Sequence, residues 1–574
     1  MYNYFIVQRE FSLFNLNSSL FQKKSRVFFI FLLLGILIIP FIYHFTFIAD
    51  DLIILKAAQL HSFPFLSDWE YSSTGMYRPL IILSYYLNYK IFGYNPFPYY
   101  LFNILLHVFN SYLVFLLFCQ LLKIVNYKTY ILLSFFAGLI FFILPQNIMN
   151  IMWIPGRNDI LAGTFTFSSL YFFVIYVNSK KNYFLIFTIL FGIFAYASKE
   201  TALLLNIYML LILGFFFLQN NKVPYKKIIL PYLILTVIYF FFRFLIFGKQ
   251  LFGDSKLINP NIFNIMKFIF YGFWCLWFPI DLLDVYYFFI KCSLWFFIIV
   301  IPLVIVIAFL VYGLLQKNKN RNLKLGFFTL LLSIVSLFIY TGNYPQMRLM
   351  YIHLPLVIMS LILIIKEINI SSKKKFLFLI SYFFLISFGF YAVLFRSEKI
   401  NNYYSEIYKV IEKTKVIRDS QFLFCPTLGR MGQSWVNPAI EFISNLILYN
   451  DLTMHTKNYY KILSYDTYSF TDYRNIIEYK ILNSNQFILK IKNDEGVIVP
   501  EASKSFRKNE ERYFINNYLP GITVFPLDSK NYREGKPNGC LVNINSNINR
   551  KNTYIIIWEK NHLIIQSLEN FFKE

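Results

Sequence analysis

The chain has few charged residues for its length, and acidic residues are the scarcer kind. Only 15% of its 574 residues are charged, whereas 57% are hydrophobic. This composition excludes an ordinary soluble domain and indicates a polytopic membrane protein. The formal net charge of +24 comes largely from short basic clusters between apolar runs. That distribution is typical of cytoplasmic loops and argues against a basic nucleic-acid-binding face.

Cysteine is also scarce, with five scattered residues. Their spacing resembles no metal site, so the sequence indicates neither a metal nor another required cofactor. Cys425 and Cys540 lie in the polar C-terminal part and would be able to pair there if it faces an oxidising compartment. The first apolar run lacks a small-residue cleavage site, so we do not expect a cleavable signal peptide.

Long apolar runs recur along the first two thirds of the chain. Eleven of them approach the length needed to cross the hydrocarbon core, which is about twenty residues. They fall at 27–48, 99–122, 129–144, 158–177, 183–197, 201–218, 228–247, 293–315, 325–340, 350–365 and 376–395. A further apolar segment, 261–290, is rich in Trp and Tyr and is predicted to be either re-entrant or spanning.

Basic clusters in alternate loops predict the orientation of these spans. If the clusters are cytoplasmic, every second loop is inside and the C-terminal part is outside. This gives a cytoplasmic tail at 1–26, a transmembrane domain at 27–395 and an extracytoplasmic α/β domain at 396–574. The transmembrane domain includes a first outer loop at 49–98. In the C-terminal domain, the pattern predicts an amphipathic helix at 403–417, a strand at 421–425 and a hairpin at 554–566.

Charged residues near the span ends all fall on the same outer face in this topology. The face begins with the pair Asp50 and Asp51, which follows the first span and is costly to keep beside hydrocarbon. The loops there are short, so we expect the charges to lie close together. The other members are Arg78, Arg157, Asp159, Lys199, Glu200, Arg243 and Arg348, with Asp68 and Glu70 expected to face water.

A cluster of both signs at a membrane surface suits group transfer from a lipid-linked phosphate. Cations hold the anionic phosphate and stabilise its charge as it leaves. A carboxylate takes the proton from the incoming hydroxyl. Arg and Lys can reach such a phosphate while their alkyl stems stay in apolar surroundings.

Several motifs occur in a characteristic order between residues 47 and 355. After the acidic pair come "YRPL", "LNYKIFGYNPFPYYLFNILLH", "WIPGRNDILAG", "SKET", "YFFFRFLIFG" and "RLMYIHLP". In these motifs the chain resembles GT-C glycosyltransferases of the protein O-mannosyltransferase type, in the branch with TPR-containing eukaryotic members and bacterial relatives. It departs from them in having no TPR repeats and in reading "MRLMY" where that family has an "ERYLY" pattern, so the acceptor stays open.

The resemblance implies a sugar donor carried on a polyprenyl phosphate and inversion at the anomeric carbon. It implies that Asp50 is the general base and that Asp51 assists it or binds the acceptor. It also implies phosphate-binding cations, for which the matching positions are Arg78, Lys199, Arg243 and Arg348. The expected partners are the polyprenyl-phosphate-linked sugar, the lipid bilayer of the plasma or inner membrane, and an acceptor protein, lipid or glycan.

Structural roles are alternatives for the same residues. Asp50 and Asp51 can cap a helix that begins at Leu52, because Asp is a common N-cap. "YRPL" can be a turn in which Pro79 starts a helix. Arg157 and Asp159 can pair with each other, and Lys199 and Glu200 can be ordinary interfacial charges. An alternative function is a transporter or flippase for lipid-linked sugars, although transporters place binding charges near the membrane midplane rather than at one face.

Overall fold

The computed structural model describes most of the apolar part of the chain and shorter segments of the C-terminal part. The first set is residues 24–48, 50–60, 78–218, 225–247, 262–291, 293–316, 320–337 and 346–415. The second set is 417, 420–425, 427–431, 434–435, 443–444, 446–447, 459–461, 463–467, 477–491, 496–500, 503–508, 511–516, 522–526, 539–545, 548–559 and 562–573. Asp68, Glu70 and most of the predicted cytoplasmic tail lie outside these ranges.

The described part of the chain up to residue 415 is helical. Its first helices are α1 (Lys24–Ile36), α2 (Ile39–Ile42), α3 (Asp51–Leu60), α4 (Pro79–Phe92), α5 (Phe97–Ile124), α6 (Tyr130–Ile143), α7 (Pro145–Ile151), α8 (Arg157–Ser179) and α9 (Asn182–Tyr196). The next are α10 (Leu204–Leu218), α11 (Tyr225–Phe247), α12 (Ile262–Trp277), α13 (Leu282–Ile290), α14 (Leu294–Leu315), α15 (Arg321–Val335), α16 (Leu354–Glu367) and α17 (Ser372–Thr414).

Six helical segments of the described chain are long and apolar enough to cross a membrane. They are Lys24–Ile42, Phe97–Ile124, Ile154–Ser179, Glu200–Phe217, Leu294–Leu315 and Ser372–Thr414. Two bent helix pairs would raise the number to eight if each is one span. These helices are compatible with an integral membrane protein, but the predicted count of eleven is not confirmed. Several apolar runs form helices that are bent or shorter than a full span, such as Asn182–Tyr196.

Proline positions account for the bends. Between α6 and α7 the axis turns by 54°, and Leu144 is extended because the following Pro145 disfavours a helical conformation there. The second bend, 95°, separates Ile269–Trp277 from Leu282–Ile290 within the segment predicted to be re-entrant or spanning. It contains Pro279, and Asp281 then caps α13 by accepting a 3.0 Å hydrogen bond from the Leu283 N–H.

The C-terminal part is built mainly from strands. They are β1 (Gln421–Phe424), β2 (Thr427–Met431), β3 (Ser434–Trp435), β4 (Tyr459–Lys461), β5 (Leu463–Thr467), β6 (Ile477–Asn483), β7 (Gln486–Ile491), β8 (Gly496–Pro500), β9 (Ser503–Lys508), β10 (Glu511–Asn516), β11 (Ile522–Pro526), β12 (Gly539–Ile544), β13 (Thr553–Glu559) and β14 (His562–Ser567). A short helix, α18 (Leu568–Phe571), follows them.

These strands form three sheets within the described residues. Their orders are β14-β13-β1-β4, β6-β7-β12-β11-β10-β9 and β3-β2-β5-β8. The predicted strand at 421–425 is confirmed as β1, and the predicted hairpin is confirmed by the antiparallel pairing of β13 with β14. Cys425 and Cys540 are both buried free thiols here, not a disulfide.

Helix α17 joins the apolar part to the sheets without a break. It is 43 residues long and includes all but the last residues of the predicted amphipathic helix at 403–417, which is therefore not a separate element. The predicted domain boundary at 395/396 falls inside this helix, and the domain limits stay predictions. Because one rigid helix serves both regions, residues on α17 can contact the apolar helices and the sheets at once.

Candidate active site

The two acids after the first span occupy different surroundings. Asp51 is fully buried at the first position of α3, and its Oδ2 accepts a 2.7 Å hydrogen bond from the Ile48 N–H. The Asp51 N–H returns a 2.9 Å bond to the Ile48 carbonyl. This reciprocal pair closes the turn before α3. The helix begins at Asp51 and not at Leu52, so Asp51 has a structural bond but is not the predicted N-cap. Asp50 precedes the helix and is an exposed residue, unlike Asp51.

Asp50 and Arg348 line the same open cleft. Its volume is about 650 Å³, counting the space open to solvent. The walls come from the turn before α3, from the region around α7, and from α17 through Val393, Ser397 and Ile400. The cleft therefore brings a carboxylate and a guanidinium to one volume that is open to solvent.

The cleft shifts the pKa of Asp50. Its walls remove water from around the carboxylate, and this partial burial raises the pKa of Asp50 above the ordinary value of 3.8. The positive charge of Arg348 acts in the opposite direction and lowers that pKa. Complete burial raises the pKa of Asp51 further, which favours its uncharged form. Asp50 is therefore the better placed of the two to accept a proton from a bound hydroxyl.

Arg348 is held in one orientation. It lies in a 3-10 turn, Met347–Met350, and its Nε donates a 2.6 Å hydrogen bond to Gln346 Oε1. Its guanidinium carbon lies 4.0 Å from the centre of the Trp153 ring, a cation–π contact that fixes the plane of the group. The Arg348 carbonyl also accepts a 2.7 Å bond from Asn150 Nδ2. These contacts pre-organise the cation beside the cleft.

Arg157 is bound on all sides by other parts of the protein. Its side chain is fully buried and donates to Asn103 Oδ1 at 2.9 Å, to Asn88 Oδ1 at 2.7 Å and to the Tyr99 carbonyl at 3.0 Å. It also lies over the Tyr85 ring, 4.5 Å from its centre. These bonds tie α4, α5 and the start of α8 together. The alternative that Arg157 and Asp159 pair with each other is therefore wrong, because each side chain contacts other elements.

Asp159 pairs instead with Lys199. The Lys199 Nζ lies 2.6 Å from Asp159 Oδ1, and the two side chains are 6% and 2% exposed. Both predicted site residues are thus brought together, in a buried ion pair between α8 and the turn before α10. An ion pair of this kind satisfies both charges without a ligand.

Replacing Lys199 with Met is therefore expected to destabilise the protein. The change leaves the Asp159 carboxylate buried without its cation, which typically costs about 3–5 kcal/mol. Thermal unfolding in detergent would show a lower midpoint. The double variant Lys199→Met with Asp159→Leu should recover most of that loss. A double variant that is stable but has a raised donor KM would instead support the predicted phosphate-binding role of Lys199.

Arg78 pairs with Glu200 in a two-point contact. Arg78 Nη2 lies 2.5 Å from Glu200 Oε1, and Nε lies 3.2 Å from Oε2. Arg78 occupies the position before α4, whose first residue is Pro79, so the predicted helix start is confirmed. Arg243 lies close by: its Nη1 donates a 3.2 Å bond to the Tyr239 hydroxyl, which lies within electrostatic range of Glu200 and Arg78. These residues form a second charged group beside the Asp159–Lys199 pair.

A buried charged triad was missed from the sequence. Arg396 of α17 contacts Asp281 Oδ2 at 3.0 Å through Nη1 and Asp284 Oδ2 at 2.8 Å through Nη2. It holds the bent segment between α12 and α13 against α17, and it also lines the cleft. The available signal was the spacing of two acids in the apolar run "FPIDLLDV", since carboxylates in such a run need a cation.

No protein-family model matches the chain. No solved structure matches it either. Among curated proteins, a local similarity is found to protein O-mannosyl-transferase TMTC2 of Homo sapiens, with 36% identity over 104 residues. The matched region is 18% of this chain, and it covers only 12% of that protein. The similarity is therefore local, and it leaves most of both chains unmatched.

Proposed function

We propose that the protein is a membrane glycosyltransferase that moves a sugar from a polyprenyl-phosphate donor to a hydroxyl acceptor. The observation that carries this proposal is the cleft shared by Asp50 and Arg348. Transfer from a lipid-linked phosphate needs a base for the acceptor and a cation for the leaving group. The cleft offers Asp50 as the base and Arg348 as the cation, while Arg396 in its wall is already paired with two carboxylates. The similarity to an O-mannosyl-transferase makes mannose the first sugar to test.

The reaction follows from these two groups. Asp50 takes the proton of the acceptor hydroxyl as its oxygen attacks the anomeric carbon of the sugar. The bond from that carbon to the phosphate oxygen breaks, and its electron pair stays on the phosphate. Arg348 stabilises the developing negative charge. A single displacement of this kind inverts the anomeric configuration.

The lengths of the helices support an extracytoplasmic site. Helix α17 rises by about 1.5 Å per residue, so the cleft residues near 393–400 lie about 30–40 Å from its basic start at Lys373. That is about the thickness of the hydrocarbon core. Helix α1 likewise begins near Lys24 and Arg26 and leads toward Asp50. Since basic ends favour the cytoplasm, the cleft belongs at the opposite face, with the N-terminus inside and the sheets outside.

The cations divide into two groups in this proposal. Arg348 faces the cleft and is the main phosphate-binding residue. Arg78 and Lys199 are each bound to a carboxylate, so their predicted role becomes the support of the surrounding helices. Arg243 lies close to Arg78 and Glu200, and it is proposed to contact the donor further along its lipid. Asp51 shapes the turn that presents Asp50.

Reconstitution into liposomes tests the proposal. The purified protein is given polyprenyl-phosphate mannose, with polyprenyl-phosphate glucose in parallel, and a panel of acceptors: a Ser/Thr peptide library, a phospholipid and an oligosaccharide. Mass spectrometry is expected to detect a glycosylated acceptor together with released polyprenyl phosphate. NMR of the product should show inversion at the anomeric carbon. Movement of intact donor across the bilayer without cleavage would support the flippase alternative and contradict the enzyme.

A further inference from the structure

The segment before Asp50 is held by a residue far away in the sequence. Asn401 of α17 accepts a 2.7 Å hydrogen bond from the Thr46 N–H and a 3.2 Å bond from the Thr46 hydroxyl, both at its Oδ1. Its Nδ2 donates a 3.4 Å bond to the His44 carbonyl. One amide side chain thus satisfies donors and an acceptor of the non-helical stretch 44–48, which lies shortly before the proposed base.

The amide that makes these bonds is buried. Asn401 is 2% exposed, whereas Thr46 is half-buried and His44 is exposed. Without the amide, the Thr46 N–H would lose its partner at a cost that favours rearrangement of the segment. The Tyr100 hydroxyl adds a 3.1 Å bond to the Thr46 carbonyl from the α5 side. Thr46 is therefore fixed from two directions, four residues before Asp50.

The same helix also forms the cleft wall. Ser397 and Ile400 line the cleft that contains Asp50, and Asn401 lies one helical turn after Ser397. Further along, the Thr414 hydroxyl lies 2.7 Å from the Tyr459 hydroxyl of β4. The Tyr403 ring stacks on Trp558 of β13, with 6.1 Å between ring centres. Helix α17 thus connects the base, the cleft wall and the C-terminal sheets.

We propose that Asn401 is a positioning residue that sets the place of the Asp50 carboxylate in the cleft. Its own side chain contacts the segment before Asp50 and acts through it. Displacement of a reacting group by about 1 Å can reduce a rate by about 100-fold. This inference rests on the proposed function, since it gives Asn401 a role in the reaction of Asp50.

The test compares kcat with the donor KM. Asn401→Ala is expected to lower kcat by about 10- to 100-fold and to leave the KM for polyprenyl-phosphate mannose within about twofold, because Arg348 is untouched. Thr414→Val is the matched control: it removes a buried polar group from the same helix without touching the segment before Asp50, and both parameters should stay near wild type. Asn401→Asp keeps the acceptor oxygen for Thr46 and a similar volume, and it should recover most of the lost kcat.

Each outcome decides the proposal. If Asn401→Ala keeps the wild-type kcat while Asp50→Asn is inactive, Asn401 has no positioning role and the base assignment stands. If both variants keep the wild-type kcat, the proposed function fails together with the inference. If Asn401→Ala cannot be purified, Asn401→Asp is compared with Thr46→Pro, which lacks the N–H that Asn401 binds. If the kcat of Asn401→Asp is as low as that of Thr46→Pro while its unfolding midpoint stays near wild type, the acceptor oxygen does not position Asp50 and the proposal is overturned. An equal fall in kcat for Thr414→Val would show a general effect of α17 and would also overturn the proposal.

Discussion

Replacing Asp50 with Asn is expected to reduce glycosyl transfer by about 10²- to 10⁴-fold, the range that a positioned general base contributes. The amide has nearly the same shape as the carboxylate but cannot take the proton from the acceptor hydroxyl. Donor binding depends on Arg348 and should persist, so the KM for the polyprenyl-phosphate sugar should change little. Initial rates of transfer in liposomes, with the amount of inserted protein measured in parallel, would check this.

Asp51→Asn is the matched control for that experiment. It makes the same chemical change one residue away, and the Asn Oδ1 can still accept the hydrogen bond from the Ile48 N–H. Asp51 is buried, and its raised pKa favours the uncharged form. We therefore expect the transfer rate of the Asp51→Asn variant to stay within about threefold of wild type. Loss of activity in Asp51→Asn with retention in Asp50→Asn would reverse the assignment within the pair.

Replacing Arg348 with Gln is expected to raise the donor KM and lower kcat, with a combined loss of about 30- to 1,000-fold. This corresponds to removal of about 2–4 kcal/mol of stabilisation of the leaving phosphate. The guanidinium is already oriented by Gln346 and Trp153, so little of its stabilising effect is lost in ordering the side chain. Steady-state kinetics against donor concentration would separate the two parameters.

The same substitution should change the pH dependence. Transfer needs ionised Asp50, so activity falls as the pH drops through its pKa. Arg348 lowers that pKa, and its removal therefore moves the acid limb of the rate profile to higher pH. Arg348→Lys keeps the positive charge but loses the planar fork. It should restore the acid limb while leaving the donor KM raised. An unchanged limb in Arg348→Gln would contradict the electrostatic effect of Arg348 on Asp50.

Local sequence patterns predicted elements whose formation depends mainly on neighbours in the chain. Pro79 marks the start of α4, because proline lacks the N–H that a first helical residue does not need. Two apolar runs on either side of a short polar turn predicted β13 and β14. The number of spans was less predictable, because apolar length alone does not show where a helix bends at Pro145 or Pro279.

The sequence did not predict which charged residues pair with each other. Composition and spacing brought Asp159, Lys199, Arg78 and Glu200 to the same membrane face, but they did not show which charges neutralise each other. Those pairs join residues that are 40 and 122 positions apart. Arg396 was missed altogether, since its partners Asp281 and Asp284 are more than 100 positions earlier. Long-range pairing depends on how helices pack, which a single sequence does not specify residue by residue.

The sequence alone indicated an integral membrane protein and an acidic pair after its first long apolar run, because hydrophobicity and charge are properties of each residue. Only the tertiary structure distinguished the two acids. It buries Asp51 in the turn before α3 and leaves Asp50 in a cleft with Arg348. The reason is physical: the accessibility and pKa of a carboxylate depend on the atoms around it, and those atoms come from α7 and α17, far away in the chain.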